Sequence, residues 1–287
     1  MSLKKTALIL EGGGMRGIFS AGVVDFFLEK DLHFPYVIGT SMGACNGASY
    51  VSKQHERSLR IPMNYLDDWR YLSFRNLITE GNLFGMGFIF NEVPYKLDPF
   101  DFDTFERSKQ QFITVATSCK TGEPAYFSKN DLDRMTVLKS FEASTSLPFL
   151  STMKEIDGEL YLDGGIADSI PIKKALKDGY EKLVVVLTRP EDYEKSTSAM
   201  TKLLAPSYYW KYPALAQQIV RRAEDYNQTL DYLKDLEEAG KVFVIRPEEA
   251  IVMPRIGKDK TLLKKAYNVG YERTKKVYEE LEDFLNE

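Results

Sequence analysis

The stretch FPYVIGTSMGACNGASYV, residues 34–51, decides the fold because two kinds of element meet in it. Its first part, YVIGTS, is a short apolar run of the kind that forms a buried strand. The part that follows, MGACNGASYVSK, is rich in small and apolar residues and predicts a helix. Ser41 lies at the junction, between Gly39 and Gly43. The stretch therefore predicts a strand, a tight turn that carries a serine, and a helix.

The same alternation of apolar runs and amphipathic segments extends along the chain. Runs typical of strands are TALIL, QFITVATSC, PAYFS, GELYLD, KLVVVL and KVFVI. Helical patterns between them are IFSAGVVDFFLEK, TVLKSFEAST and IPIKKALKDG. This order predicts an α/β fold with a mostly parallel central sheet flanked by helices.

We predict a single domain over residues 1–287, with a motif-bearing core at about 6–190 and a C-terminal helical extension. Two aromatic-rich segments, 60–105 and 191–240, interrupt the alternation and could cover the carboxyl ends of the strands. The extension shows helical spacing of apolar residues at Leu263, Ala266, Val269, Tyr271, Val277, Leu281 and Leu285.

Composition excludes several classes of protein. The net charge of −4 lacks the basic excess of a nucleic-acid-binding protein. The two cysteines, Cys45 and Cys119, fit a reducing compartment and make no disulfide framework. The N-terminal apolar run is too short for a signal peptide, and no segment approaches the roughly 20 apolar residues of a membrane span. We expect a soluble protein of the cytoplasm.

A serine between two glycines at the end of a strand is the pattern of a nucleophile elbow. Residues 39–43, GTSMG, have the strand before them and the helix after them that the GxSxG motif requires. In such a turn the glycines avoid side-chain clashes, and the serine Oγ points out of the sheet. The alternative interpretation is a structural turn without chemistry.

A glycine-rich loop follows the first predicted strand at residues 11–17, EGGGMRG. Consecutive glycines let backbone N–H groups converge on an anion, either a phosphate or the oxyanion of acyl transfer. A dinucleotide site would need an acidic residue at the end of the second strand, where the chain has Ser41 instead. Arg16 could steady the loop or attract an anionic head group, and a solvated arginine at a helix start is the alternative.

A serine nucleophile needs a base, which is usually histidine. Of the two histidines, His33 lies at the wrong end of the strand that leads to Ser41, and His55 lies among charged residues beyond the next helix. Asp163 is better placed, because it ends the strand GELYLD and two glycines follow it. The alternative is an ordinary Asp-Gly turn.

Four motifs occur in order along the chain: EGGGMRG, GTSMG, ASTSLPF at 143–149 and DGG at 163–165. The third alone indicates a helix that ends at a prolyl turn. Together the motifs resemble those of the patatin-like phospholipases, lipid acyl hydrolases with a Ser-Asp dyad and a glycine-rich oxyanion loop. The resemblance covers about residues 6–190. It implies the three-layer α/β sandwich of that family and explains why histidine is nearly absent.

The resemblance also implies roles for individual residues. Ser41 would be the nucleophile and Asp163 the base. The oxyanion and substrate-binding groups would be Gly12, Gly13, Gly14, Arg16, Gly17 and Met42. The two turns would be supported by Gly39, Gly43, Gly164 and Gly165.

One position departs from the family pattern. After the DGG motif the family often has an asparagine two residues before a proline, and this chain has Ser169 there. A serine is shorter but can still hydrogen-bond to the loop. We expect Asp168 to be a helix-start residue and not a second base.

These observations predict a serine lipid acyl hydrolase, a carboxylic ester hydrolase of the phospholipase or lysophospholipase type. An acyltransferase, a thioesterase or a general carboxylesterase would use the same dyad. A non-catalytic lipid-binding or nucleotide-binding protein with a relic elbow is an alternative of another class. No cofactor or metal is expected, because the acidic run DPFDFD lacks the glycine and the terminal glutamate of a calcium loop.

A lipid or ester substrate needs apolar surface near the elbow. The segments LFGMGFIF, 83–90, and PSYYWKYPALAQQIV, 206–220, combine aromatic residues with glycine or proline. Each could form a lid or a patch for peripheral membrane contact. The alternative is ordinary core, which the pattern slightly favours for each segment.

Overall fold

Eight strands form one sheet at the centre of the protein. A computed structural model describes residues 3–254 and 256–287. The strands are β1 (Thr6–Leu10), β2 (Tyr36–Thr40), β3 (Gln111–Ser118), β4 (Pro124–Ser128), β5 (Lys154–Ile156), β6 (Glu159–Asp163), β7 (Lys182–Val186) and β8 (Val242–Ile245). Their order is β5-β6-β3-β2-β1-β7-β8, and β4 also pairs with β3.

The sheet is mixed but mostly parallel, which confirms the predicted fold class. The central strands β3, β2, β1, β7 and β8 run parallel to one another. The strands β4, β5 and β6 are antiparallel to their neighbours. The strand β5 was not expected, because its three residues carry no apolar run and it forms only as the partner of β6.

Helices cover both faces of this sheet. They are α1 (Ile18–Glu29), α2 (Met42–Val51), α3 (Arg57–Tyr65), α4 (Phe74–Glu80), a π-helical segment (Phe88–Leu97), α5 (Phe102–Arg107), α6 (Arg134–Thr145), α7 (Ile172–Lys177), α8 (Ala199–Tyr208), α9 (Pro213–Glu238), α10 (Lys260–Lys276) and α11 (Tyr278–Asn286). The long helix α9 was not expected from the sequence pattern.

Alternate residues of each central strand point to opposite layers of helices. Leu8 and Leu10 pack with α1, α2 and α11 on one face. Ala7 and Ile9 pack with α7 and α9 on the other face. Because both faces are covered, the strands are continuous apolar runs instead of alternating ones.

The C-terminal extension is helical, but the residues that it buries differ from the predicted apolar stripe. Leu263 and Ala266 are buried, and so are Tyr267 and Gly270, which the predicted stripe left out. Val269 is exposed, so its assignment to the stripe is wrong. The reason is that α10 crosses α1 closely at Gly270, which turns the neighbouring Val269 towards solvent.

The two apolar segments, 83–90 and 206–220, differ in their burial. In 83–90 the side chains of Leu83, Met86, Phe88 and Phe90 are buried, so this segment is core. The segment 206–220 divides into exposed aromatic residues, Tyr208 and Trp210, and a buried set in α9, Leu215, Ala216 and Ile219.

Candidate active site

Ser41 lies in a strained turn between β2 and α2. Its backbone has φ 55° and ψ −125°, a conformation that a residue with a Cβ adopts only when its surroundings enforce it. The flanking glycines allow the turn: a Cβ on Gly39 would lie 2.6 Å from the Gly43 carbonyl, and a Cβ on Gly43 would lie 2.3 Å from the Leu10 carbonyl oxygen. The structure thus has the elbow geometry that the GxSxG pattern predicts.

The Ser41 hydroxyl contacts the carboxylate of Asp163. Ser41 Oγ donates a hydrogen bond of 2.8 Å to Asp163 Oδ2. The other carboxylate oxygen, Oδ1, accepts from the backbone N–H of Gly165 at 2.8 Å. Both side chains are almost fully buried. The carboxylate is therefore held with one oxygen turned to the serine.

The strand β3 brings these two residues together. It pairs in parallel with β2, so that Thr40 lies opposite Val115. Beyond the end of β2, the same edge of β3 pairs with β6, so that Asp163 lies opposite Ala116, while β4 occupies the other edge. Thr40 and Asp163 therefore lie opposite consecutive residues of β3 along one edge, which places Ser41 beside Asp163 where β2 ends.

The ASTSLPF motif hydrogen-bonds to the backbone of both Ser41 and Asp163. The Ser144 hydroxyl accepts a hydrogen bond of 2.8 Å from the backbone N–H of Ser41. The Ser146 carbonyl accepts one of 2.8 Å from the backbone N–H of Asp163. The end of α6 thereby fixes both turns, a role that a helix-stop interpretation of the motif had not included.

The glycine-rich loop lies beside the serine, and its glycines occupy different positions. Gly13 lines the cavity in front of Ser41. The N–H of Gly12, which also lines it, donates to the Ser169 carbonyl at 3.3 Å. Gly14, with φ 57°, begins a short 3₁₀ turn that ends at Gly17. The Gly17 carbonyl accepts a hydrogen bond of 2.6 Å from Asn46 Nδ2.

Arg16 and Met42 lie on different sides of the elbow. Arg16 lines the cavity that contains Ser41, and its Nη1 donates to the Met253 carbonyl at 3.5 Å. Met42 lines a separate apolar cavity of about 100 Å³ on the other side of α2. The side chain of Met42 is thus directed away from the main cavity.

Asp168 does not begin a helix, which corrects that expectation. The helix α7 starts at Ile172 with Pro171 before it. The Asp168 carboxylate instead accepts a hydrogen bond of 2.8 Å from the Tyr126 hydroxyl, and its burial raises the pKa of Asp168 to about 6. Ser169 does hydrogen-bond to the loop, since its Oγ donates to the Gly165 carbonyl at 3.0 Å.

The remaining candidates lie away from Ser41. His33 pairs with Asp31, and His55 pairs with Glu29. In the DPFDFD run, Asp98 accepts from Arg60 at 2.6 Å and Asp101 caps α5. Within the described chain, no three His, Cys, Asp or Glu side chains come together as metal ligands.

A cavity of about 430 Å³ opens in front of Ser41 and Asp163. Much of its wall comes from residues 188–226, which overlap the aromatic-rich segment 191–240. Sequence reasoning did not single out its side chains, which carry no motif. Some follow β7 in the chain, and the others are brought to the site by the long-range packing of α9. They include Thr188, Arg189, Tyr193, Lys195, Arg222 and Tyr226.

No helix within residues 3–254 or 256–287 is long and apolar enough to cross a bilayer.

Two protein-family models match the chain. The model described as "Patatin-like phospholipase" matches residues 8–176, which include Ser41 and Asp163. The model described as "Domain of unknown function (DUF6363)" matches residues 212–286. The second match begins at residue 212, within the segment 188–226 that forms much of the cavity wall.

Several curated proteins are similar to the same region. The uncharacterized protein YjjU of Escherichia coli is 32% identical over 65% of this chain and 52% of its own length. The uncharacterized NTE family protein Rv1063c of Mycobacterium tuberculosis is 25% identical over 60% of this chain and 45% of its own length. Lysophospholipase NTE1 of Saccharomyces cerevisiae is 25% identical over 65% of this chain and 11% of its own length. The chain thus spans about half the length of each of the first two relatives.

Among solved structures, VipD from Legionella pneumophila aligns with a TM-score of 0.46 and 13% identity, over 98% of this chain and 66% of that chain.

Proposed function

The chain belongs to the patatin-like phospholipase family, and we propose that it is a serine lipid acyl hydrolase of the phospholipase or lysophospholipase type. The observation that carries the proposal is the 2.8 Å hydrogen bond between Ser41 Oγ and Asp163 Oδ2 at the floor of a cavity. The lysophospholipase name of the NTE1 relatives supports the type of substrate.

The reaction would begin with proton transfer from Ser41 to Asp163. As Oγ bonds to the ester carbonyl carbon, Asp163 Oδ2 accepts the hydroxyl proton. When the tetrahedral intermediate collapses, the C–O bond to the alcohol breaks, and Asp163 returns the proton to the leaving oxygen. The product of this step is an acyl ester on Ser41.

Water would complete the cycle by the same route in reverse. Asp163 accepts a proton from water while the water oxygen attacks the acyl-Ser41 carbonyl. The collapse of this second intermediate releases a fatty acid and returns the proton to Ser41. Another alcohol in place of water would make the reaction an acyl transfer.

The oxyanion would be stabilised by the backbone amides of Gly13 and Gly14. Their loop follows β1 directly and lies beside the elbow, where backbone donors are fixed before the charge develops. The Gly12 amide already donates to Ser169, so its contribution is to hold the loop.

A lipid bilayer would dock on the exposed face of α8. The helix is continuous with the cavity, because Thr201 lines the cavity and Tyr209 hydrogen-bonds to the cavity residue Phe149. Its outward face is apolar and is followed by Trp210; the exposed side chains are Met200, Leu203, Leu204 and Tyr208. The exposed Lys202 and Lys211 suit an anionic surface.

Hydrolysis of a short-chain nitrophenyl ester and of a lysophospholipid, with a chelator present, tests the proposal. We expect turnover by the wild type, none by Ser41→Ala, and a fall of at least about 10³-fold for Asp163→Asn. Asp157→Asn is a matched control on the exposed β5–β6 turn and should keep wild-type rates. Lipid binding without Ser41-dependent turnover would indicate a binding protein and contradict the proposal.

A further inference from the structure

The catalytic cavity is electropositive although the whole chain is acidic. Among the residues that the structure describes, four cationic side chains and two carboxylates line the cavity, which gives this lining a formal charge of +2, against −4 for the chain. The cations are Arg16, Arg189, Lys195 and Arg222, and the carboxylates are Glu11 and Asp163.

Both carboxylates are engaged by neutral hydrogen-bond donors. Asp163 accepts from Ser41 Oγ and from the Gly165 N–H, each at 2.8 Å. Glu11 accepts from the Tyr226 hydroxyl at 2.6 Å and from Thr188 Oγ1 at 2.9 Å. These donors fix the two acidic groups in the wall of the cavity.

Arg222 stands next to the catalytic carboxylate. A Cβ placed on Gly165 would lie 3.0 Å from Asp163 Oδ1 and 3.3 Å from Arg222 Nη2. The guanidinium therefore occupies the wall beside the dyad, where the alcohol portion of an ester bound at Ser41 can reach it. Its neighbour Arg221 is exposed and pairs with Asp225 at 3.4 Å.

Aromatic rings hold two other cations at the same wall. Lys195 Nζ lies 3.9 Å from the centroid of the Tyr226 ring. The Arg189 guanidinium lies 4.2 Å from the centroid of the Tyr193 ring. Such contacts orient a cation over the face of a ring. The hydroxyl-bearing residues Ser196, Thr197, Ser198 and Thr201 line this wall as well.

We propose that the cavity binds esters with a net negative group of the phosphate class, and that residues 212–286 contribute to catalysis by supplying Arg222 to that group. This inference rests on the proposed hydrolase function. An anion that leaves water for a partly buried site needs charged hydrogen-bond donors, and an arginine fork fits a phosphate well. The region matched by a model of unknown function thereby contributes a specificity residue to the wall of the active site.

The test compares three soluble esters of one short acyl chain: a monoacylglycerol, the matching lysophosphatidate and the matching lysophosphatidylcholine. All are used below their critical micelle concentrations, so that surface binding plays no part. We expect kcat/KM of the wild type to be about tenfold or more higher for the lysophosphatidate than for either other ester.

The Arg222→Gln variant should lose this preference. Its kcat/KM should fall about tenfold further for the lysophosphatidate than for the monoacylglycerol, mainly through KM. Arg222→Lys should restore part of the preference because it keeps the charge. Arg221→Gln is the matched control on the same helix and should behave as the wild type.

The outcomes separate this inference from the proposed function. Ser41-dependent turnover of all three esters at similar kcat/KM would overturn the inference and leave the hydrolase assignment intact. No Ser41-dependent turnover of any ester would overturn the hydrolase assignment itself. Inorganic phosphate could instead inhibit the wild type and not Arg222→Gln, while the wild type shows no preference for the lysophosphatidate. That result would indicate a site for free anions and would also overturn the inference.

Discussion

The hydroxyl of Tyr226 donates a hydrogen bond of 2.6 Å to Glu11 Oε1, and this contact joins helix α9 to the start of the glycine-rich loop. Thr188 Oγ1 donates to the second oxygen, Oε2, at 2.9 Å. Tyr226 and Glu11 are both buried. A residue outside the patatin-like match thus helps to set the position of the glycine-rich loop.

Replacement of Tyr226 by Phe should weaken both stability and turnover. The buried Glu11 carboxylate would lose a donor, which costs about 1–3 kcal/mol in the free energy of unfolding. We expect kcat to fall severalfold on neutral and anionic esters alike, because the loop loses its support. Denaturant unfolding and ester kinetics measure both effects. Tyr232→Phe, on the same helix, is the control, and equal behaviour of the two variants would contradict the prediction.

The packing of α10 against α1 depends on two glycines. A Cβ on Gly270 would lie 2.0 Å from the Phe19 carbonyl oxygen, and one on Gly22 would lie 2.2 Å from the Tyr267 carbonyl oxygen. Gly270→Ala should therefore destabilise the protein by about 1–3 kcal/mol or more. Thermal unfolding measures this effect. Gly87→Ala is the control and should be close to neutral, because a Cβ on Gly87 meets nothing within 4 Å. A stable Gly270→Ala protein would mean that the two helices do not pack this closely.

Asp168 makes stability depend on pH. Burial raises the pKa of Asp168 from 3.8 to about 6, so between these values the folded protein binds more protons than the unfolded chain. The free energy of unfolding contributed by this group therefore falls as pH rises through this range and is constant above it.

Asp168→Asn should remove that dependence. The amide oxygen can still accept from Tyr126, and no buried charge has to form. We expect the variant to gain up to about 3 kcal/mol over the wild type at pH 8 and nothing near pH 4. Thermal unfolding across this pH range measures the difference. A gain that is the same at both ends would show that the carboxylate is not the cause.

The apolar face of α8 predicts a difference between lipid surfaces and soluble esters. Leu203→Ser with Leu204→Ser should reduce binding to anionic vesicles, and should lower activity on vesicles more than activity on a soluble ester. Vesicle sedimentation and the two activities provide the measurement. Met135→Ser removes an equally exposed apolar side chain near the start of α6, the end away from Ser144, and is the control. Equal losses on both substrates would contradict the docking role.

Sequence reasoning predicted the elements that carry local signals. β1, β2 and β7 are apolar runs bounded by turns, and the Ser41 turn has glycines that its backbone requires. The position of Asp163 at the end of β6 was also accessible, because a strand pattern led into an Asp-Gly-Gly turn.

The rest of the site depends on contacts between distant parts of the chain. Nothing local marks Arg222 or Tyr226, which reach the cavity only because α9 packs across the sheet. The same is true of Ser144, whose hydroxyl meets the Ser41 N–H through the packing of α6. Asp168 was assigned to a helix start from the SIPI sequence beside it, and its contact with Tyr126, 42 positions away, has no local signal.

Active-site labelling with a fluorophosphonate tests the central claim most directly. The reagent bonds to a serine only when its oxygen is activated, so peptide mass spectrometry can locate the adduct and its rate reports the base. We predict one adduct, on Ser41, formed at least about 10³-fold more slowly in Asp163→Asn and at the wild-type rate in Asp157→Asn. An adduct on another residue, or an unchanged rate in Asp163→Asn, would contradict the Ser41–Asp163 dyad.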